Sequence, residues 1–345
     1  MNLIENGELN LSDICATCER CQDPGSLECK EELKNVMGNG KAGDYYYYIV
    51  HALEAKGYTA NKDIKGAPYD FRKAPDNLNE FYRKLKKLVE DLYHANQNVP
   101  VVMIAHSMGN PVLLNFYNHK VTKEWKDTYI HAHVALAPPW AGSIKSVRGM
   151  VSGDSDGIFF LNGLEVRPMQ RSWPGIAWMM PSPIHKLWNP EETLVVTPHR
   201  NYSVKDYNKL FHDMGYDLGF LLLNRTRQFD TDLSKLPELR ALHVLYGANM
   251  PTPSQYVYPA GTFPDSDPQV KNGKGDGTVN KRSLEAFKKF EGSQSINLTH
   301  QAFDGVDHLS ILSDDHVLKF ITDLILNYED SSGDNLSQDR EKTEL

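Results

Sequence analysis

Apolar positions along this chain follow two different periods in turn, and that alternation sets the expected architecture. Leu78, Phe81, Tyr82, Leu85, Leu88, Val89 and Leu92 recur at steps of three and four, the apolar face of an amphipathic helix. Asn77 followed by Glu80 is the pattern of a capping box at its start. Pro100-Val101-Val102-Met103-Ile104-Ala105 is then a short run rich in β-branched residues, as in a strand buried on both faces of a parallel sheet. Pro111 fixes the next helix to begin at about Met108, because proline is tolerated only in a first turn; this helix is expected to end near His119. Further strands are expected over Tyr129–Ala137, Ala241–Tyr246 and Ser295–Phe303. A closing helix follows from Asp314 to Leu326, with Val317, Leu318, Ile321, Leu324 and Ile325 on its apolar face. Earlier, a helix over Tyr45–Lys56 ending at Gly57 and a short strand over Asp63–Tyr69 are expected. The βαβαβ order predicts an α/β fold with a mostly parallel sheet, helices on both faces and right-handed crossovers.

The pattern breaks in three places. Residues 1–44 are polar and glycine-containing, without a sustained period, and read as an irregular leader. All four cysteines lie there, Cys15, Cys18, Cys21 and Cys29, in a spacing compatible with zinc or with two small disulfides. Their surroundings hold too few apolar residues for an independent fold, which favours a flexible leader. From about 143 to 240 the alternation gives way to Gly, Pro, Trp and Met, including Phe159, Phe160, Trp173, Trp178, Met179 and Met180. Such an insertion forms a cap or lid, or the core of a second subdomain. Residues 329–345 are charged and aperiodic, a disordered tail. The main domain is thus expected over 45–328.

A chain of 345 residues buries a sizeable core, and its net charge of -8 without a basic stripe excludes a nucleic-acid partner. No apolar run approaches the roughly 20 residues that span a bilayer, and Met1–Asn10 lacks the basic start and apolar stretch of a signal peptide. A soluble chain without a visible export signal is expected.

The join between the Val101 strand and the Pro111 helix reads Ala-His-Ser-Met-Gly, a nucleophile elbow with Ala105 in place of its first glycine. Ser107 is the expected nucleophile, and the backbone N–H of Met108 the expected oxyanion donor. Such a serine needs a base, and the base needs an acid to fix its tautomer. The order serine, acid, histidine with each on a loop after a strand points to Asp276 and His308, with Gly275 and Gly277 letting the acid's loop turn. Asp267, Asp304 and Asp307 are the rival acids, Asp307 being close in sequence to the base. The base must be neutral to act, so activity should fall as His308 protonates. His131 and His133 share one face of a strand, but no third ligand of suitable spacing is near, so no metal is expected.

AHSMGN at 105–110, GAPYDFRKAP at 66–75, PW-x-G at 139–142, NYS at 201–203, PTP at 251–253, GDGTVN at 275–280 and DHLSIL at 307–312 together resemble the lecithin:cholesterol acyltransferase family, from about Asp44 to about Leu326. The resemblance implies an α/β-hydrolase fold with a lid, no cofactor, and a serine-dependent phospholipase A or lipid acyltransferase activity. An acyl-enzyme on Ser107 would pass its acyl group to water or a lipid alcohol, with Asp276 and His308 matching the family's acid and base. Trp140, Trp173 and Trp178 become candidates for substrate or lid contacts. Partners would be phospholipid and a membrane or lipoprotein surface. Placement would be lysosomal or secreted, in keeping with the sequons at Asn201, Asn224 and Asn297. Two departures stand out. Ala137, Pro138 and Ala141 occupy positions where the family has Gly, Ala and Gly. The family's second oxyanion donor comes from an apolar strand ending in a Pro-Gly loop, and 1–44 shows no apolar strand that runs into such a loop. A catalytically impaired lipid-binding protein and a general carboxylesterase or lipase are the competing expectations.

Overall fold

The computed structural model describes residues 45–155, 162–183, 186–231, 233, 235, 237–292 and 295–327, together with the two-residue strands Ile4–Glu5 and Glu8–Leu9, which pair antiparallel. The four cysteines and the tail over 329–345 lie outside the described residues.

In chain order the elements are α1 (Tyr47–Glu54), α2 (Asn79–Ala95), β1 (Val101–His106), α3 (Gly109–His119), α4 (Lys123–Tyr129), β2 (Ile130–Leu136), α5 (Ile144–Val151), α6 (Gly163–Arg171) and α7 (Pro174–Trp178). Next come β3 (Val195–Val196), β4 (Asn201–Tyr202), α8 (Tyr207–Asp213), α9 (Asp217–Arg227), β5 (Ala241–Ala248), β6 (Met250–Val257), β7 (Gln269–Gly275), α10 (Lys281–Leu284) and β8 (Asn297–Asp304). A last helix, α11, covers 315–327.

Contacts divide the chain into two compact units, one of Met1–Pro68, Leu88–Val102 and Leu309–Leu345, the other of Tyr69–Lys87 and Met103–His308. In the first, α1 buries Ile49, Val50 and Leu53, and α11 buries Val317, Ile321 and Ile325, as their periodicity predicts. The strand expected over 63–69 does not form. Ala60 and Ile64 make one isolated bridge, Asn61 has a positive φ, and the Asp63 carboxylate accepts the Thr59 N–H at 2.8 Å. A short polar side chain closing on nearby backbone favours a turn over an extended ladder.

The helix α2 buries Leu78, Tyr82, Leu85 and Val89 along one side. It starts two residues beyond the expected cap at Asn77, because Pro75–Asn77 winds into a 3-10 turn and Asn79 Nδ2 donates to the Asp76 carbonyl. α4 was not expected. Thr122 Oγ1 accepts the Trp125 N–H at its start, and Trp125 packs edge-on against Phe116. One aromatic anchor in seven mostly polar residues leaves too little periodicity to read.

Two four-stranded sheets organise the second unit. The first has the order β8-β5-β2-β1, with β8·β5 and β2·β5 parallel. Its interior strands are dry: Val134, Ala135, Leu136, Val244 and Leu245 have no exposed surface. The second has the order β4-β3-β6-β7, with β3·β6 parallel and β6·β7 and β3·β4 antiparallel. It shares an apolar core with α5, α8 and α9 built on Ile144, Val147, Trp188, Leu210, Phe211 and Tyr256. Between the strand expected over Ala241–Tyr246 and Lys274, the chain forms the hairpin β6·β7, which no apolar period announces. β3, within the segment 143–240, pairs with β6 beyond it.

Candidate active site

At the end of β1 the chain reverses into α3 through a single residue, Ser107, held at φ +50°. A left-handed conformation is costly for a residue with a Cβ and persists only where its surroundings fix it. Here the surroundings are specific. Ser107 N–H donates to the Leu136 carbonyl at 2.9 Å, and the Asn110 N–H reaches the Ser107 carbonyl at 3.0 Å. The buried Asn110 side chain adds two more bonds, from Nδ2 to the carbonyls of Ser107 and Leu136, each 3.0 Å. With both amide hydrogens thus used, its Oδ1 accepts from His133 Nε2 at 3.1 Å. Burial pushes His133 down to about 3, so this histidine is a neutral part of the clamp. Half-buried His131 is also lowered by burial, and the described residues hold no group of three or more metal-ligating side chains.

Asp276 and His308 reach Ser107 through two loops. β6 and β7 form a hairpin that leaves the end of β5 and returns to it, so Asp276 comes to lie in a parallel bridge with Met250. Gly275 has no room for a side chain there: a Cβ would lie 2.2 Å from the Val279 carbonyl oxygen. His308 follows β8, and its loop passes over Gly247, where a Cβ would sit 2.0 Å from the Val306 carbonyl oxygen and 3.3 Å from Asp276 Cβ. The loop after β8 thus comes close to β5 because residue 247 is glycine.

These loops bring the three predicted side chains into one hydrogen-bonded line. His308 Nδ1 lies 2.7 Å from Asp276 Oδ2, and His308 Nε2 lies 2.9 Å from Ser107 Oγ. A carboxylate only accepts, so the proton sits on Nδ1 and Nε2 is left to accept from the serine hydroxyl. The other oxygen of Asp276 accepts from the N–H groups of Thr278 and Val279 at 3.0 and 2.7 Å. Asp276 is 0% and His308 7% exposed. The backbones are tied as well, His308 N–H donating to the Asp276 carbonyl at 2.8 Å. Of the rival acids, Asp267 pairs with Arg148 and Asp304 with Asn249; the carboxylate meeting His308 Nδ1 belongs to Asp276, not to Asp267, Asp304 or Asp307. Met108, the helix N-cap, follows Ser107 directly.

The tryptophans part company. Trp140 and Trp178 are buried at 3% and 2% exposure, Trp178 Nε1 donating to the Phe229 carbonyl, so both belong to the core and not to an open lid. Trp173 is partly exposed and stacks edge-on against Phe71 at 5.3 Å. Sequence reasoning did not single out Asn110, His106 or Thr252. Asn110 was visible within the AHSMGN motif. Thr252, whose Oγ1 accepts the Gly277 N–H at 2.8 Å, lay within Pro-Thr-Pro. His106 sat beside the serine, with its partner 202 residues away.

A parallel sheet carrying a strained serine elbow, with a histidine and an acid on later loops, defines an enzyme of the α/β-hydrolase fold. A solved structure titled "The crystal structure of Tle4-Tli4 complex" superposes with a TM-score of 0.51 over 73% of this chain and 66% of that one, at 14% identity. The chain belongs to the lecithin:cholesterol acyltransferase family, whose model matches residues 6–319. It is 37% identical over 304 residues to the Bos taurus protein named "Lysosomal phospholipase A and acyltransferase", spanning 88% of this chain and 72% of that one. It is 33% identical to the Mus musculus "Phosphatidylcholine-sterol acyltransferase" over 86% of this chain and 66% of that one. The Arabidopsis thaliana "Lecithin-cholesterol acyltransferase-like 1" is 37% identical over 84% and 67%. The described residues contain no helix long and apolar enough to cross a membrane.

Proposed function

We propose that this chain is a serine-dependent phospholipase A and lipid acyltransferase. The observation that carries the reading is the line Ser107 Oγ, His308 Nε2, His308 Nδ1 and Asp276 Oδ2, with contacts of 2.9 and 2.7 Å. Ser107 Oγ attacks an ester carbonyl of a glycerophospholipid while its proton passes to His308 Nε2. Asp276 holds the resulting imidazolium in place. The N–H of Met108, in the first turn of α3 where such groups lack an intrahelical partner, faces the developing oxyanion. Collapse expels the lysophospholipid alcohol, which takes the proton from His308, and leaves the acyl group on Ser107. Water or a lipid alcohol then gives its proton to Nε2, attacks the acyl carbon, and restores the serine.

Residues 143–240 act as the cap over this site, with Trp173 and Phe71 meeting lipid and Trp140 and Trp178 supporting the core beneath. The partially exposed Trp173–Phe71 pair supports that division. A phospholipid bilayer or lipoprotein surface is the expected partner. Lysosomal or secreted placement accords with the name of the Bos taurus relative and with the exposure of Asn201, Asn224 and Asn297, each in a sequon.

The test is turnover of phosphatidylcholine vesicles containing a long-chain alcohol. The reading predicts lysophospholipid with matching amounts of fatty acid plus acylated alcohol, and none with Ser107→Ala. Turnover of short-chain esters alone would favour a general esterase, and folded protein with no turnover of either would favour a lipid-binding protein.

A further inference from the structure

His106, one residue before the nucleophile, takes no part in the chemistry described above, yet it reaches across to the base. Its Nε2 lies 2.7 Å from the His308 carbonyl oxygen, and the two imidazole rings are 4.7 Å apart. A carbonyl only accepts, so Nε2 carries the hydrogen. We propose that His106 is a positioning residue that fixes the loop of His308 to the elbow of Ser107, so that the base and the nucleophile are held at reacting distance by backbone as well as by side chain; this rests on the acyl-transfer reading of the site.

The geometry supplies the reason. His106 ends β1 and Ser107 begins the elbow, so any movement of the serine carries His106 with it. On the other side, His308 donates its own N–H to the Asp276 carbonyl at 2.8 Å. The peptide groups flanking the base are thus pinned at both ends, its N–H to the acid's residue and its carbonyl to the residue before the nucleophile. The imidazole retains only rotation about its side-chain bonds, and Asp276 Oδ2 and Ser107 Oγ fix that rotation. Without His106 the carbonyl end of the loop is released, and displacements of about 1 Å at reacting atoms cost on the order of 100-fold in rate.

His106 also suits this task chemically. It is 4% exposed, and burial, together with the nearby His308, keeps its ring well below the usual histidine range. His308 and, through it, Asp276 are the titratable groups joined to it. When His308 carries the proton during acyl transfer, the positive charge beside His106 disfavours a second proton there. The clamp therefore stays neutral and its Nε2–H stays in place through the cycle.

The test compares His106→Leu, His106→Asn and His106→Gln by the rate of fluorophosphonate labelling of Ser107 and by kcat and KM on phospholipid vesicles, with thermal melting as a control. Glutamine places an amide N–H at the same number of bonds from Cβ as histidine Nε2, and asparagine stops one bond short. The proposal predicts labelling and kcat lowered about 100-fold in the Leu and Asn variants, KM within about two-fold of wild type, and recovery to within about five-fold in the Gln variant. If the Leu variant does not fold, the Asn and Gln pair decides. Wild-type rates in the Asn variant, or equal losses in Asn and Gln with lowered melting temperatures, would overturn it. Absence of labelling in the wild type itself would overturn the acyl-transfer reading first, and the proposal with it.

Discussion

The two sheets of the larger unit hold the same site by opposite means. The parallel sheet presents Ser107 from the buried end of its edge strand β1, beside interior strands in which Leu136, Val244 and Leu245 are fully buried, and the strained residue is clamped by Asn110. The mixed sheet presents Asp276 from β7, where every residue of Gln269–Lys274 is exposed and only Gly275 is buried. In the first, hydrophobic burial fixes the backbone. In the second, a hairpin merely returns the chain to its starting point, and the last few residues are fixed by hydrogen bonds to Thr252, Val279 and His308. Ser107 is therefore secured by a buried interior together with the Asn110 clamp, and Asp276 by polar contacts at the end of a solvated arm.

That contrast governs what the sequence disclosed. The strands β1, β2 and β5 announce themselves as apolar runs, and the elbow adds its own spacing, so most of the parallel sheet and Ser107 were legible. β7 reads Gln-Val-Lys-Asn-Gly-Lys-Gly and β6 contains Pro251 and Pro253, so neither carries an apolar period and both looked like loop. Asp276 was still recognisable from its glycine-flanked loop and its place before His308. His106 was not, because a contact 202 residues apart in sequence leaves no local signature.

The largest effect separates the acid from the scaffold that carries it. Asp276→Asn is expected to lower kcat about 10⁴-fold while leaving the fold intact, since the amide presents a hydrogen where His308 Nδ1–H needs an acceptor. Steady-state kinetics with urea unfolding in parallel would check it, and a loss under ten-fold would break the view that the solvated arm exists to deliver this carboxylate.

Acid should strain the buried sheet first. His133 is pushed down to about 3 and His243 to about 4, both mainly by burial. The unfolded chain binds protons on these groups below about 6.5 and the folded chain does not until near pH 3 to 4, so their contribution to stability is intact above 6.5 and declines as pH falls through that window. Each costs about 1.4 kcal/mol per pH unit within it. Urea midpoints at pH 6.5, 5.5 and 4.5 should converge between wild type and His133→Gln as the pH falls, and parallel lines would contradict the buried neutral state.

Asn110→Ala removes both side-chain donors and strands the His133 N–H, with an expected cost of about 2–3 kcal/mol in urea unfolding. A loss below about 0.5 kcal/mol would mean that packing alone holds the elbow. The smallest effect is of opposite sign. Ala137, at φ +47° where glycine is favoured, should gain about 0.5–1 kcal/mol as Ala137→Gly, measured the same way.

The acyl-transfer claim itself is tested most directly by peptide mapping after fluorophosphonate treatment of the native protein. The account predicts a single adduct on the peptide containing Ser107, absent from Ser107→Ala and formed at least 1,000-fold more slowly, as an order of magnitude, in His308→Ala. An adduct on any other residue, or one that forms on Ser107 at the same rate without His308, would contradict it.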